Sequence, residues 1–186
     1  MIALILSAPH RLPLWVHVLV TAAAFGLFQT TKTALDAHYA ASGHPVDYVT
    51  GQTAFDAERV EGWYTAMQAQ GTLDLYVQTQ IIDFGFIAAV MLLGMTLGTL
   101  VARLGRDGSL GRRLGLWAAG FAVIGGMLDS VENLLSFAML AQPDAIPQAL
   151  AVAYSSAAAA KFAMLTAAMG TLALSFGFGL WSRMRG

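Results

Sequence analysis

The chain has 186 residues, of which 57% are hydrophobic and only 11% are charged, and its mean hydropathy is +0.63. Soluble domains contain about 25% charged residues, so this composition indicates an integral membrane protein. The formal net charge of −1 gives no basis for a nucleic-acid partner. The absence of cysteine excludes disulfides, thiolate metal sites and cysteine nucleophiles.

Four apolar segments are long enough to cross the hydrocarbon core as helices, which takes about 20 residues each. They cover residues 14–35, 75–102, 114–140 and 148–181. Helices are expected because lipid offers no hydrogen-bond partner to the backbone. The sequence therefore predicts an all-α fold, a four-helix transmembrane bundle that forms a single integral membrane domain over residues 1–186. Residues 1–8 lack the basic residues of a signal peptide and are expected to be an interfacial lead-in to the first span.

The basic residues predict the orientation of these spans. The short loop between the second and third spans is rich in arginine: Arg103, Arg106, Arg112 and Arg113. The last loop, residues 142–148, contains no basic residue. The positive-inside rule then places the arginine-rich loop and both termini in the cytoplasm. The spans have tryptophans on that side, as an interfacial aromatic belt would: Trp15, Trp117 and Trp181. We expect a multi-pass protein of a bacterial inner membrane or another plasma membrane.

Residues 36–74, between the first and second spans, are too many for a simple connection. Their first part contains turn-forming residues and is expected to be irregular: Gly43, Pro45 and Gly51. Residues 55–70 are expected to form an amphipathic helix with one apolar side: Phe55, Val60, Trp63 and Met67. Gly71 is expected to end that helix. We expect a partly helical extracytoplasmic cap over the outer end of the bundle, with Trp63 and Tyr64 covering a ligand.

The third span contains polar side chains on one helix face, because Asp129, Glu132 and Asn133 are spaced at i, i+3 and i+4. An ionisable group within a span is costly and usually faces a partner or a wet cavity. The other spans offer partners at a similar depth: Gln80 and Asp83 on the second, Tyr154 and Lys161 on the fourth, and Lys32 on the first. We expect these residues to meet. Three carboxylates against two lysines would leave a formal excess of one negative charge, which a shared proton would neutralise.

Two interpretations of this cluster stay open. In the first, it is a polar pocket at the level of the outer leaflet that binds a small amphipathic or lipid-like molecule, and transport or modification of that molecule stays open. Asp129 and Glu132 would then be the principal binding or proton-handling groups, with Lys161 as their counter-ion. In the second, the protein is a non-catalytic accessory subunit of a larger membrane complex, and the polar contacts, about 0.6 kcal/mol each on average, only hold its fold together. The expected partners are membrane lipids, a small amphipathic ligand, and other membrane subunits or a second copy of the chain.

The sequence identifies no cofactor and no catalytic residue, and it leaves open whether the protein is an enzyme. Asp83, Asp129 and Glu132 offer oxygen ligands suited to Mg²⁺, Ca²⁺ or Mn²⁺, but the lysines compete for them, so no metal is expected. A Ser–Lys dyad of Ser155 with Lys161 is a weaker hypothesis, since serines in membrane helices usually bond to the backbone. His17 is expected to be a hydrogen-bonded histidine rather than a metal or haem ligand.

Small residues recur on two of the spans. Gly94 and Gly98 form a small-xxx-small pattern on the second span, and a similar strip follows the third: Ala118, Ala122, Gly125 and Gly126. Such strips allow two helices to approach closely. The pattern predicts tight packing, either within one chain or between copies.

Overall fold

A computed structural model describes residues 12–184, and all the secondary structure in this part of the chain is helical. Residues 12–184 contain six α-helices: α1 Leu14–Ser42, α2 Tyr48–Gln52, α3 Ala57–Gln70, α4 Leu73–Ala102, α5 Leu110–Leu140 and α6 Gln148–Met184. The four long ones, α1, α4, α5 and α6, are each long and apolar enough to cross a membrane. The predicted all-α fold with four long apolar helices that could span a membrane is thus confirmed, and these helices suggest a membrane helical bundle. The expected lead-in over residues 1–8 lies outside the described residues.

All four long helices extend beyond their predicted bounds, and α1 and α5 extend the furthest. Helix α1 continues from residue 35 to Ser42, because no glycine or proline interrupts it before Gly43, whose φ of +65° is left-handed. Helix α5 begins at Leu110, four residues before the predicted start. The Ser109 hydroxyl oxygen accepts a hydrogen bond from the Arg112 backbone N–H at 3.3 Å and so caps the first turn. The predicted boundaries of α1 and α5 were set at the ends of the apolar runs. The helices instead end at a capping residue, Ser109, or at a left-handed glycine, Gly43.

The chain forms two compact units, and each long helix contributes one segment to each of them. Unit 1 comprises the described residues within Met1–Phe28, Ala88–Gly126 and Phe162–Gly186. Unit 2 comprises Gln29–Ile87 and Met127–Lys161. The charged residues singled out on the third and fourth spans all belong to unit 2.

In unit 1, glycines let α4 and α5 approach closely. A Cβ atom placed on Gly98 would lie 2.7 Å from the Ala119 backbone nitrogen and 2.8 Å from the Gly115 carbonyl oxygen. A Cβ atom on Gly94 would collide with the Ala122 side chain. Gly94 and Gly98, the glycine strip of α4, therefore pack against α5 of the same chain.

Unit 1 also contains a buried histidine that fixes an arginine. His17 has no exposed surface, and its Nε2 lies 3.0 Å from the Thr96 carbonyl oxygen. The Arg103 guanidinium donates to His17 Nδ1 at 3.1 Å and to the Leu12 carbonyl oxygen at 2.9 Å. Because a guanidinium can only donate, Nδ1 accepts and Nε2 carries the hydrogen that binds Thr96. His17 is thus a hydrogen-bonded histidine, as expected.

In unit 2, α3 packs one side against the ends of the long helices. Its buried side chains share a core with residues of α4, α5 and α6: Ala57, Val60, Tyr64 and Met67 against Tyr76, Met139, Ala151 and Tyr154. Gly71 ends α3 with a φ of +68°, as predicted. The predicted apolar side needs correction, because Tyr64 is buried while Trp63 is half-buried and Phe55 is exposed. Phe55 precedes the N-cap residue Asp56 and therefore does not follow the helical period.

The backbone just before α3 is held by α6. Phe55 has a φ of +54°, a left-handed conformation that is rare for a bulky residue. Its N–H donates to Ser155 Oγ at 3.0 Å, and its carbonyl accepts from Gln148 Nε2 at 2.9 Å. Gln148 Oε1 accepts the Ala57 N–H at 2.9 Å. These three hydrogen bonds maintain a conformation that costs about 1–3 kcal/mol.

The close approach of α4 and α5 predicts that Gly98→Ala is destabilising. The added methyl group would meet backbone atoms, and overpacking of this kind costs about 1–3 kcal/mol. Gly85→Ala on the same helix is the control, since a Cβ atom there meets nothing within 4 Å. Denaturant titration in detergent micelles should give a lower free energy of unfolding for Gly98→Ala only. Equal effects of the two substitutions would contradict the packing described.

The left-handed Phe55 predicts that glycine is the better replacement at this position. Both Phe55→Gly and Phe55→Ala remove the same exposed ring, but only alanine keeps a Cβ atom that opposes positive φ. We expect Phe55→Gly to be more stable than Phe55→Ala by about 1 kcal/mol, measured by thermal unfolding. An advantage for alanine would show that this φ is not retained in the folded protein.

Candidate functional site

The candidate site is built on a buried ammonium group between two carboxylates of α5. Lys161, on α6, is only 4% exposed. Its Nζ donates to Asp129 Oδ1 at 2.7 Å and also to Glu132 Oε2. Asp129 and Glu132 are three residues apart, which places both carboxylates on one side of α5 within reach of one ammonium group. The structure thus brings these three predicted residues together.

A third acceptor for Lys161 comes from outside the long helices. Gln52, the last residue of α2, accepts from Lys161 Nζ through Oε1 at 3.1 Å. The three acceptors equal the three N–H donors of an ammonium group. Gln52 was not among the predicted site residues, because it lies in a five-residue helix that is too short to show an amphipathic period.

Asp83 and Asn133 form a second buried pair beside the first. The Asn133 side-chain amide donates to Asp83 Oδ2 at 2.8 Å, so α4 and α5 are linked by a charge-assisted hydrogen bond. Asp83 is 8% exposed and Asn133 is fully buried. Asp83 was expected to pair with a lysine, but its hydrogen-bond partner is the side-chain amide of Asn133.

Lys32 does not join these residues. Its Nζ binds Asp36 Oδ2 at 2.6 Å, and both side chains are about half exposed, at 48% and 47%. Asp36 is four residues further along α1 and so lies next to Lys32 on the helix surface. The expected pairing of Lys32 with the cluster is therefore corrected. We use "acidic cluster" for Asp83, Asp129, Glu132, Asn133 and Lys161, which contains three carboxylates and one ammonium group.

Two oxygen atoms of the acidic cluster are buried without a partner among residues 12–184. They are Glu132 Oε1 and Asn133 Oδ1. Leaving a buried polar atom unsatisfied costs about 1–3 kcal/mol, and more for a charged group. Both atoms accept hydrogen bonds, so only a donor would satisfy them.

The other two predicted site residues, Gln80 and Tyr154, are also buried. Gln80 is 6% exposed and lies one turn before Asp83 on α4. Tyr154 is 2% exposed and belongs to the core that contains Tyr64. Burial raises the pKa of the Tyr64 phenol, and the negative charge of Glu132 raises it further. Tyr64 was expected to cover a ligand from the cap, and it lies within electrostatic reach of the acidic cluster.

Neither a metal site nor a Ser–Lys dyad finds support in these contacts. Within residues 12–184, no three His, Asp or Glu side chains are arranged to hold a metal ion. The Lys161 ammonium group occupies the position between Asp129 and Glu132 that a cation would take. Ser155 Oγ accepts the Phe55 N–H, which gives this serine a structural role.

The difference in burial between the two lysines predicts different effects on stability. Lys161→Met would leave two buried carboxylates side by side, and breaking a buried ion pair costs about 3–5 kcal/mol. Lys32→Met removes the same charge from an exposed i, i+4 pair, which contributes less than about 1 kcal/mol. Denaturant titration in mixed micelles should therefore show a large loss only for Lys161→Met. Similar losses for both would mean that Lys161 is hydrated.

Comparison with known proteins gives no indication of the function. No protein family, curated protein or solved structure matches the chain. The acidic cluster, with its two unpartnered oxygen atoms, is therefore the candidate functional site.

Proposed function

We propose that the acidic cluster binds the head group of a small amphipathic or lipid-like molecule. The observation that carries this proposal is the buried Glu132 Oε1, which has no partner in residues 12–184 although Oε2 of the same carboxylate binds Lys161. A cluster that only held the helices together would be expected to satisfy all of its buried atoms. Here an acceptor is left over at the most buried carboxylate.

The charges of the cluster favour a head group that donates hydrogen bonds and is positively charged. Three carboxylates face one ammonium group, which is a formal excess of two negative charges. An uncompensated buried charge is costly, and a cation or a bound proton would remove that cost. A primary amine could donate to Glu132 Oε1 and Asn133 Oδ1 together. A hydroxyl head group would donate to only one of these two oxygen atoms. Asp129 and Glu132 would then be the groups that accept or release a proton.

The surroundings of the cluster suit an apolar tail. The core of unit 2 is aromatic and methionine-rich, with Tyr64 and Met67 of α3 packed against Tyr76, Met139 and Tyr154. Methionine side chains adapt readily to irregular ligands. Because Glu132 has no exposed surface, a ligand would reach it only after a covering segment moves. Tyr64 of α3 lies within electrostatic reach of Glu132. Helix α3 is therefore proposed as a lid over the site.

The orientation proposed for the chain puts this site toward the outer leaflet. In the sequence, 16 residues separate Arg113 from Asp129, and a helix needs about 20 residues to cross the hydrocarbon core. A cytoplasmic arginine-rich loop, as the positive-inside rule predicts, therefore favours an outer-leaflet level for the cluster. The tryptophans near the arginine end support this, since all are more than half exposed as interfacial anchors would be: Trp15, Trp117 and Trp181. Both termini would then be cytoplasmic.

The alternative of an accessory subunit remains as a competing outcome. It was based partly on the glycine strip of α4, which could have received a partner chain. Gly94 and Gly98 instead pack against α5 of the same chain. The ligand hypothesis is therefore the better supported of the two.

Binding of an amphipathic amine tests the proposal. We expect dodecylamine to raise the thermal unfolding temperature of the purified protein in maltoside micelles, and dodecanoate, its anionic counterpart, to have no such effect. A ligand at 100 times its Kd stabilises by about 2.7 kcal/mol. Glu132→Gln should remove the stabilisation while the protein stays folded, and Asp36→Asn, which removes a charge from an exposed pair, should retain it.

Several outcomes would overturn the proposal. Equal effects of the amine and the carboxylate would indicate a general detergent effect. Stabilisation that persists in Glu132→Gln would place the binding elsewhere. A chain that is unaffected by either compound but co-purifies at fixed stoichiometry with another membrane polypeptide would support the accessory-subunit alternative.

A further inference from the structure

Unit 1 contains an apolar cleft with two arginines, distant in sequence from the acidic cluster. Its volume is about 420 Å³, which is in the range of small-molecule sites. Apolar side chains supply most of the lining: Leu14, Val18, Leu100, Val101, Leu104 and Phe176. Arg103 and Arg183 complete it. An apolar cleft with two cationic groups matches an anionic amphiphile.

Both guanidinium groups are held in place by carbonyl oxygens. One terminal nitrogen of Arg103 binds Leu12 O and His17 Nδ1. Arg183 donates from Nε to the Leu104 carbonyl oxygen at 3.1 Å and from a terminal nitrogen to the Arg103 carbonyl oxygen at 3.5 Å. Each guanidinium has five N–H donors, so both retain donors beyond these contacts.

Neither arginine has a carboxylate partner among residues 12–184. In the same region, Arg112 is paired with Asp107, so acidic side chains are used where they are present. Both guanidinium groups instead contact carbonyl oxygens, which carry no full negative charge. An anion bound in the cleft would supply the missing counter-charge.

We propose that this cleft binds the head group of an anionic phospholipid. The phosphate would accept hydrogen bonds from Arg103 and Arg183, since guanidinium groups bind phosphate through paired donors. The first part of an acyl chain would lie against Leu14, Val18 and Leu100. Basic pockets between membrane helices bind anionic head groups in this way. Because none of these residues belongs to the acidic cluster, this inference does not depend on the function proposed above.

Native mass spectrometry of the delipidated protein tests the proposal. The protein in detergent micelles would be titrated with phosphatidylglycerol, with phosphatidylcholine and with inorganic phosphate. We expect phosphatidylglycerol to bind most tightly, and Arg183→Gln to weaken it about fivefold. Arg106→Gln is the matched control, because Arg106 is also an exposed arginine but lies in the loop between α4 and α5 and does not line the cleft.

A second variant separates the cleft from simple charge attraction. Val18→Trp keeps every charge but fills part of the cleft, so it should weaken binding of phosphatidylglycerol as Arg183→Gln does. Glu132→Gln should leave this binding unchanged. Equal binding of the two lipids, equal effects of Arg106→Gln and Arg183→Gln, or tight binding of inorganic phosphate alone would each overturn the proposal.

Discussion

The burial of Lys161 between Asp129 and Glu132 is the interaction on which unit 2 depends. Removing three ionised groups from water is expensive, and their mutual attraction together with the hydrogen bond that Lys161 donates to Gln52 offsets that cost. The pairing therefore fixes how α5 and α6 are rotated, since each helix must turn its charged side toward the other. It also ties α2 to α6 through Gln52.

Much of this arrangement could be predicted from the sequence because membranes impose strict rules. A span has to be helical, so the i, i+3 spacing of Asp129 and Glu132 already implied a shared face. A charge in such a span needs a partner, and Lys161 was the only cation on the following span at a similar depth. The glycine–alanine strips likewise implied close packing, though whether within one chain or between copies required the coordinates.

The remaining side-chain contacts could not be predicted, because they do not follow the periodicity of a helix. Lys32 had two acidic options, and the local one, Asp36, was preferred because an i+4 partner needs no second helix. Val60 and Met67 are buried as predicted, but Tyr64 rather than Trp63 turns inward between them. Gln52 lies in a five-residue helix that is too short for an amphipathic signal. In each case the outcome was decided by end caps and neighbouring side chains.

The attachment of α3 has a consequence for how motion of this helix could be followed. Its first turn is held through backbone amides, with the Phe55 N–H on Ser155 and the Ala57 N–H on Gln148. Neither amide has a helical partner of its own, so each is shielded only while α3 stays docked on α6. Deuterium uptake at these two positions would therefore time the opening of α3 directly, independently of what, if anything, passes beneath it.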